Sequence, residues 1–298
     1  MRHSNSWQVK IPVALGIAGL TLFTGVGQSF SAEKGSTPSR TVANGLERAA
    51  DQSSANAVKA DPYDLMVQSE SAETYYQRGN ELYDQGKFKE AVNAYKKAIQ
   101  IRKDYVDAYV GLGNALDDSG NPEEAISAYK AAIKIDPNEP MIYYNMGITL
   151  ARVGKMQEAA RAFQTTTELK PDFVQGHNSL GNALYDLKQY EAAIKAYRQA
   201  IQRNPNFVPA YVGLGNALDD ADRFEAAVEA YNQAIKIDPQ NGSAYYNLGI
   251  ALVRQNKKAD ATDAFMQARQ IYASKGNTQA VKKIDQILER LKSGPVTN

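Results

Sequence analysis

Few residues in this chain have the means to do chemistry, and those few are regularly placed. Two pairs of adjacent carboxylates, Asp117-Asp118 and Asp219-Asp220, stand 102 residues apart. Each pair follows an asparagine, Asn114 or Asn216, and is followed by an arginine one repeat further on, Arg152 or Arg254. Adjacent acids can do proton-transfer work when burial or a like charge drives their pKa values apart. On an open helix face they are expected to keep ordinary values, so catalysis is not expected of them. The chain has 2 histidines, His3 and His177, and no cysteine. That excludes disulfides, thiolate metal sites and thiol nucleophiles. The remaining residues offer no sensible metal-ligand spacing. No phosphate loop of the GxxxxGK[ST] type occurs. Gly111-Leu112-Gly113 lacks the third glycine of a dinucleotide fingerprint and falls within a helical stretch. The sequence implies no catalytic residue, no metal, no cofactor and no enzyme.

The elements that position these residues are periodic. Hydrophobic residues make up 43% of 298 residues and net charge is only +1, so a core is possible and a nucleic-acid binder, with its basic excess, is not indicated. From Ala72 the sequence repeats every 34 residues: 72–105, 106–139, 140–173, 174–207, 208–241 and 242–275. The eighth residue is always glycine (Gly79, Gly113, Gly147, Gly181, Gly215, Gly249), and the eleventh is always leucine, from Leu82 to Leu252. The twentieth is always alanine, from Ala91 to Ala261. The twenty-fourth is aromatic: Tyr95, Tyr129, Phe163, Tyr197, Tyr231 and Phe265. Small residues let two antiparallel helices approach, and the leucine and aromatic fill the space between them. Pro137, Pro171, Pro205 and Pro239 each end a second helix. One hairpin cannot bury its own apolar face, so stability must come from stacking. His177 occupies a fourth position that is otherwise tyrosine and reads as a packing substitution. A last amphipathic helix, from about Thr278 to Lys292, carries Val281, Ile284, Ile287, Leu288 and Leu291 on one stripe and caps the array.

The repeats are not equally alike. The second and fifth agree at 22 of 34 positions. The third and sixth share Tyr143-Tyr144-Asn145 and Tyr245-Tyr246-Asn247, and the first and fourth share Tyr83-Asp84 and Tyr185-Asp186. The array is therefore a triplet of hairpins used twice, which should place two chemically similar surfaces along one array.

The six in-phase copies resemble the tetratricopeptide-repeat family over roughly Ala72 to Ser274. The resemblance implies an all-α fold, a right-handed superhelical solenoid of helix-turn-helix hairpins that binds peptides rather than transforming them. There are departures. Lys103 and Ala273 stand where closing prolines are expected, and Lys188, Asp222 and Asn256 replace the turn glycine found at Gly86, Gly120 and Gly154. The later turns are expected to be more strained.

In the family the first helix of each hairpin lines the concave groove through positions 2, 5, 9, 12 and 13. Here these include Tyr76, Asn80, Asp84, Asn114, Asp117, Asp118, Tyr144 and Arg152 in the first triplet. They include Asn182, Asp186, Asn216, Asp219, Asp220, Tyr246 and Arg254 in the second. Asn145 and Asn247 sit beside them one repeat on from Asn114 and Asn216. An asparagine amide both donates and accepts, so it can pair with a peptide unit, and tyrosine adds rigid area for an anchor side chain. Eight acids (Glu73, Asp84, Asp107, Asp117, Asp118, Asp186, Asp219, Asp220) against Arg152 and Arg254 give the groove a net charge of about −6. Some members of the family clamp acidic C-termini with lysine and arginine. This chain has Val110, Gln175 and Ser179 where those cations would stand. It is expected to prefer neutral or basic segments of a client protein and not acidic tails. Lysines and arginines of the second helices (Lys96, Lys97, Lys130, Lys134, Lys195, Arg198, Lys236) read as a solvated outer face.

Ahead of the repeats, residues 1–32 read as a membrane anchor or export signal. Arg2 and Lys10 precede an uncharged stretch whose apolar heart is Ile11 to Val26. A retained anchor needs roughly 17–25 apolar residues, whereas a cleaved signal needs about 7–15 and small residues at the cut, which Ser29 and Ser31 supply. The first reading places the chain on a membrane and the second in a periplasm or lumen. Residues 33–71 read as a flexible tether, with a short helix near Leu46 to Ala57. The layout of one apolar N-terminal segment, a tether and a repeat array is similar to that of the Pitt-type proteins of cyanobacteria. That resemblance implies a thylakoid or plasma membrane location, a role in chlorophyll synthesis and thylakoid biogenesis, and a protochlorophyllide-reducing enzyme as partner.

Overall fold

The structure, a computed structural model, describes residues 11–15, 20–24 and 71–293. The expected tether and its short helix lie outside the described residues, as does most of the N-terminal segment. Ten residues of that segment are described. Ile11–Leu15 (β1) pairs antiparallel with Leu20–Thr24 (β2), placing Val13 opposite Leu22. The β-branched Ile11, Val13, Thr21 and Thr24 suit extended pairing. Among the described residues no helix is long and apolar enough to cross a membrane.

From residue 72 the chain is helical. Six hairpins follow one another: Ala72–Asp84 (α1) with Phe88–Ile101 (α2), Val106–Asp118 (α3) with Pro122–Ile135 (α4), Pro140–Arg152 (α5) with Met156–Leu169 (α6). The second three are Val174–Asp186 (α7) with Tyr190–Arg203 (α8), Val208–Asp219 (α9) with Phe224–Ile237 (α10), and Gly242–Arg254 (α11) with Lys258–Ser274 (α12). Thr278–Ser293 (α13) closes the array, with Ile284 and Leu288 buried against the last hairpin. Each helix packs on its partner and on the next hairpin. First helices also touch one another side by side, α1 with α3, α3 with α5, α7 with α9 and α9 with α11. Within each triplet the three first helices therefore share one face.

The period-34 pattern is read out by packing. Tyr95, Tyr129, Phe163, Tyr197, Tyr231 and Phe265 are each at most 2% exposed. Each lies against the glycine of its own first helix, where an added Cβ would fall inside the ring's van der Waals radius. The turn between the helices is the same in all six hairpins. In the first, Gly86 N–H donates to Tyr83 O and Lys87 N–H to Leu82 O, a Schellman closure that needs a left-handed residue. Gly86, Gly120 and Gly154 supply it at φ 74, 87 and 79°, while Lys188, Asp222 and Asn256 adopt it at 58, 57 and 60°. The expected strain is therefore present, and it is largest in kind at Lys188. Aspartate and asparagine tolerate this region, whereas a lysine Cβ pays about 1–2 kcal/mol.

The two missing prolines have different outcomes. At Lys103 the inter-repeat turn forms regardless, with Tyr105 N–H donating to Arg102 O at 3.3 Å, as Phe173 N–H does to Lys170 O at 3.1 Å. At Ala273 nothing stops the helix, and α12 runs to 17 residues where α10 has 14.

His177 does what tyrosine does at the same repeat position. Tyr143 Oη donates to Pro137 O at 3.1 Å, and His177 Nε2 lies 2.9 Å from Pro171 O. The ring is buried, and loss of water holds its pKa below the ordinary value, with Arg203 nearby adding to the effect and the Pro171 bond opposing it. A base with a depressed folded pKa contributes stability that is present above its unfolded pKa and lost as pH falls through the folded value. The stability gap between His177→Tyr and the wild-type chain should therefore shift in favour of the variant between pH 7 and 5. Denaturation midpoints of both proteins across that window check this; parallel profiles would reject it.

Candidate functional site

The candidate residues lie on the face formed by the first helices. The structure gathers most of them into two polar ladders, one per triplet. In the first, Asn145 Nδ2 donates to Asn114 Oδ1 at 3.3 Å, Arg152 pairs with Asp117, and Tyr83 Oη donates to Asp118. The Arg152 guanidinium also reaches the Asp117 carbonyl oxygen at 3.2 Å. In the second, Asn247 Nδ2 donates to Asn216 Oδ1 at 2.9 Å, and Tyr185 Oη donates to Asp220 at 2.5 Å. Arg254 lies 3.5 Å from Asp219 and 3.9 Å from Asp220, and it donates to the Asp219 carbonyl at 3.2 Å. Every rung joins adjacent hairpins, so these polar groups set the stacking of the solenoid as well as the chemistry of its face.

The groove asparagines have a second partner that sequence reasoning missed. Tyr95 Oη donates to Asn80, Tyr129 to Asn114, Tyr197 to Asn182 and Tyr231 to Asn216, at 2.7, 2.7, 2.8 and 2.8 Å. Burial pushes these tyrosine hydroxyls up and keeps them neutral donors. The signal was available within the chain. Where the twenty-fourth residue is Phe163 or Phe265, with no hydroxyl, the ninth is Ile148 or Ile250. The asparagine oxygen is thus committed to the hairpin interior, and only the amide N–H groups remain for a ligand. Tyr83 and Tyr185 were also absent from the sequence-based site, although the Tyr-Asp pair they share marked the first and fourth repeats as alike.

The tyrosines at the fifth position turn inward. Tyr76 packs on Tyr95 and Tyr105, with centroids at 6.0 and 5.0 Å. Tyr144 packs edge-on against Phe173 at 4.9 Å, and Tyr246, 6% exposed, packs against Phe265. Asp84 and Asp186 stand exposed at the ends of α1 and α7 and belong to neither ladder.

Charge is less uniform than the count suggested. Glu73 accepts from Tyr105 Oη at 2.6 Å and lies 3.5 Å from Arg102. Asp117, Asp219 and Asp220 pair with the two arginines, whereas Asp84, Asp107 and Asp118 are exposed. The expectation that the paired acids keep ordinary pKa values fails at Asp219. It is 7% exposed, and loss of water pushes its carboxyl up to about 6; Arg254 opposes the rise, and Asp220 and Asp222 add to it. The reason is burial by the flanking first helices, which is invisible in a single helix. Among the described residues no group of three or more histidine, aspartate and glutamate side chains is arranged to hold a metal.

A family model described as "TPR repeat" matches residues 79–120, 114–154 and 220–256, and one described as "Tetratricopeptide repeat" matches 174–207. No curated protein matches the chain. Among solved structures, MamA 41-end from Desulfovibrio magneticus RS-1 is 28% identical, with a TM-score of 0.54, over 57% of this chain and 96% of that one. YrrB, titled a TPR protein with an unusual peptide-binding site, is 21% identical, with a TM-score of 0.55, over 63% and 97%. PilF of Pseudomonas aeruginosa is 17% identical, with a TM-score of 0.58, over 72% and 96%. At these identities the last two show the fold alone.

Proposed function

From a chain that is a tetratricopeptide-repeat protein, and so a protein–protein interaction scaffold, we propose that the face of its first helices holds an extended, neutral or basic segment of a client protein. The observation that carries this reading is the N-terminal half of that face. There the exposed carboxylates Asp84, Asp107 and Asp118 lie along α1 and α3 beside the part-exposed amides Asn114 and Asn145. Carboxylates attract lysine and arginine side chains, and amide N–H groups with no further internal acceptor suit peptide carbonyls. Titration of a lysine-bearing peptide and an acidic peptide of equal length against the full chain tests it. The basic peptide should bind more tightly, and its affinity should fall as salt rises, since exposed charges are screened. Tighter binding of the acidic peptide would overturn the reading.

The apolar stretch from Ile11 to Val26, after Arg2 and Lys10, supports tethering of this scaffold to a membrane, where it would serve assembly or biogenesis of a membrane complex. Cleavage after the stretch would instead make it an exported periplasmic or lumenal protein acting in envelope or secretion assembly. The mass of the mature protein separates the two. The resemblance to Pitt-type proteins extends the tethered reading to thylakoid biogenesis. Co-purification of a protochlorophyllide-reducing enzyme from solubilised membranes tests that extension, and its absence from the eluate removes it.

A further inference from the structure

The two ladders carry the same residues but differ in burial. In the N-terminal copy the Arg152 side chain is 46% exposed, and Asn114, Asp117 and Asn145 are all part-exposed. In the C-terminal copy the Arg254 side chain is 18% exposed, and Asn216, Asp219 and Asn247 are 6, 7 and 5% exposed. One cause lies in sequence. The Arg254 guanidinium sits 5.6 Å over the Phe224 ring, and the residue one triplet earlier than Phe224 is Pro122, which offers no ring.

The closed copy forms a half-open recess with room of about 10 Å³, lined by Tyr185, Asn216, Asp219, Asn247 and Ile250 among others. Two of these lining side chains carry a buried polar atom with no hydrogen-bond partner, the donor Asn216 Nδ2 and the acceptor Asp219 Oδ1. Leaving such a group dry is destabilising, because its lost hydration is not replaced. Room for about one water, beside one donor and one acceptor, matches a single water that accepts from the amide and donates to the carboxylate. A lysine or arginine head is too large for that space, and the nearest charge is already met by Arg254. No side-chain atom of Asn114, Asp117 or Asn145 is left buried and unpartnered.

We propose that the C-terminal triplet holds one ordered water between the buried atoms Asn216 Nδ2 and Asp219 Oδ1 and acts as a buried strut, so that client recognition falls to the N-terminal triplet. The second half of this rests on the peptide-binding reading above. The first half is tested on the full chain by high-resolution crystallography and by oxygen-17 relaxation dispersion. The wild-type chain should show a long-lived water in this recess. That water should disappear in the triple variant Asn216→Ile/Tyr231→Phe/Asn247→Ser, which reproduces the Ile148, Phe163 and Ser179 combination of the third and fourth repeats and leaves no Asn247 amide without its Asn216 acceptor; circular dichroism checks that it folds. A dry recess in the wild-type crystal, or a long-lived water retained at this site in the variant, overturns it.

The second half is tested with the lysine-bearing peptide. Asp118→Asn should weaken binding about fivefold, and Tyr185→Phe should leave it within about twofold. The opposite pattern overturns the strut. If the peptide does not bind the wild-type chain at all, the peptide-binding reading fails, and the assignment of recognition to one half fails with it, while the water result stands.

Discussion

Gly213→Ala should lower the stability of the array by about 2–3 kcal/mol, although alanine is the better helix former by about 1 kcal/mol. The Tyr197 ring is clamped between two glycines of successive first helices. A Cβ at Gly213 would fall 2.5 Å from Cε1 of that ring, and a Cβ at Gly181 would fall 2.6 Å from the same atom. The ring cannot move away from one without meeting the other. It is 2% exposed, and its hydroxyl is held by Asn182. The hairpins α7–α8 and α9–α10 would have to separate to make room. Gly242→Ala is the control, because the nearest atom to its added Cβ is 3.1 Å away, on the Tyr272 ring. It should cost less than about 1 kcal/mol. Urea denaturation midpoints of the two variants decide the matter; equal midpoints would show that the ring is not clamped.

Asn182→Ile should cost about 1–3 kcal/mol, and most of that loss should be recovered by adding Tyr197→Phe. Isoleucine is tolerated at this position, as Ile148 and Ile250 show, so the penalty comes from the Tyr197 hydroxyl, which would be buried without an acceptor. Removing both partners restores the pairing found in the third and sixth repeats. The four proteins of this cycle, measured by denaturation, give the coupling directly. Additive effects would return Asn182 to the status of a free ligand group. Coupling would mean that the asparagines of this face serve the hairpin first and a client second.

Much of the architecture was legible in residues 72–293. Leucines, alanines and glycines at fixed places in a 34-residue period fixed the helices, because each type answers a local steric demand: small where helices touch, large where a gap must be filled. The duplication of the triplet was equally plain; it predicts two chemically similar surfaces, and the structure shows the same polar ladder in both copies. Even the tyrosine–asparagine bond was written in the chain, as the exchange of Tyr and Asn for Phe and Ile. It went unread because the two positions are 15 residues apart and on different helices.

The sequence alone determined that this chain is a solenoid with two chemically matched polar faces. Only the tertiary structure decided that the faces differ. Asp117 and Asp219 stand in identical decapeptides and their side chains are 13 and 10% exposed, yet the arginine paired with the first, Arg152, is 46% exposed and the arginine paired with the second, Arg254, only 18%. Exposure is set by neighbours 31–35 residues away and by such substitutions as Phe224 for Pro122, not by the residues that carry the charge. A repeated sequence fixes which groups meet; how much water remains between them depends on how closely the helices around them pack.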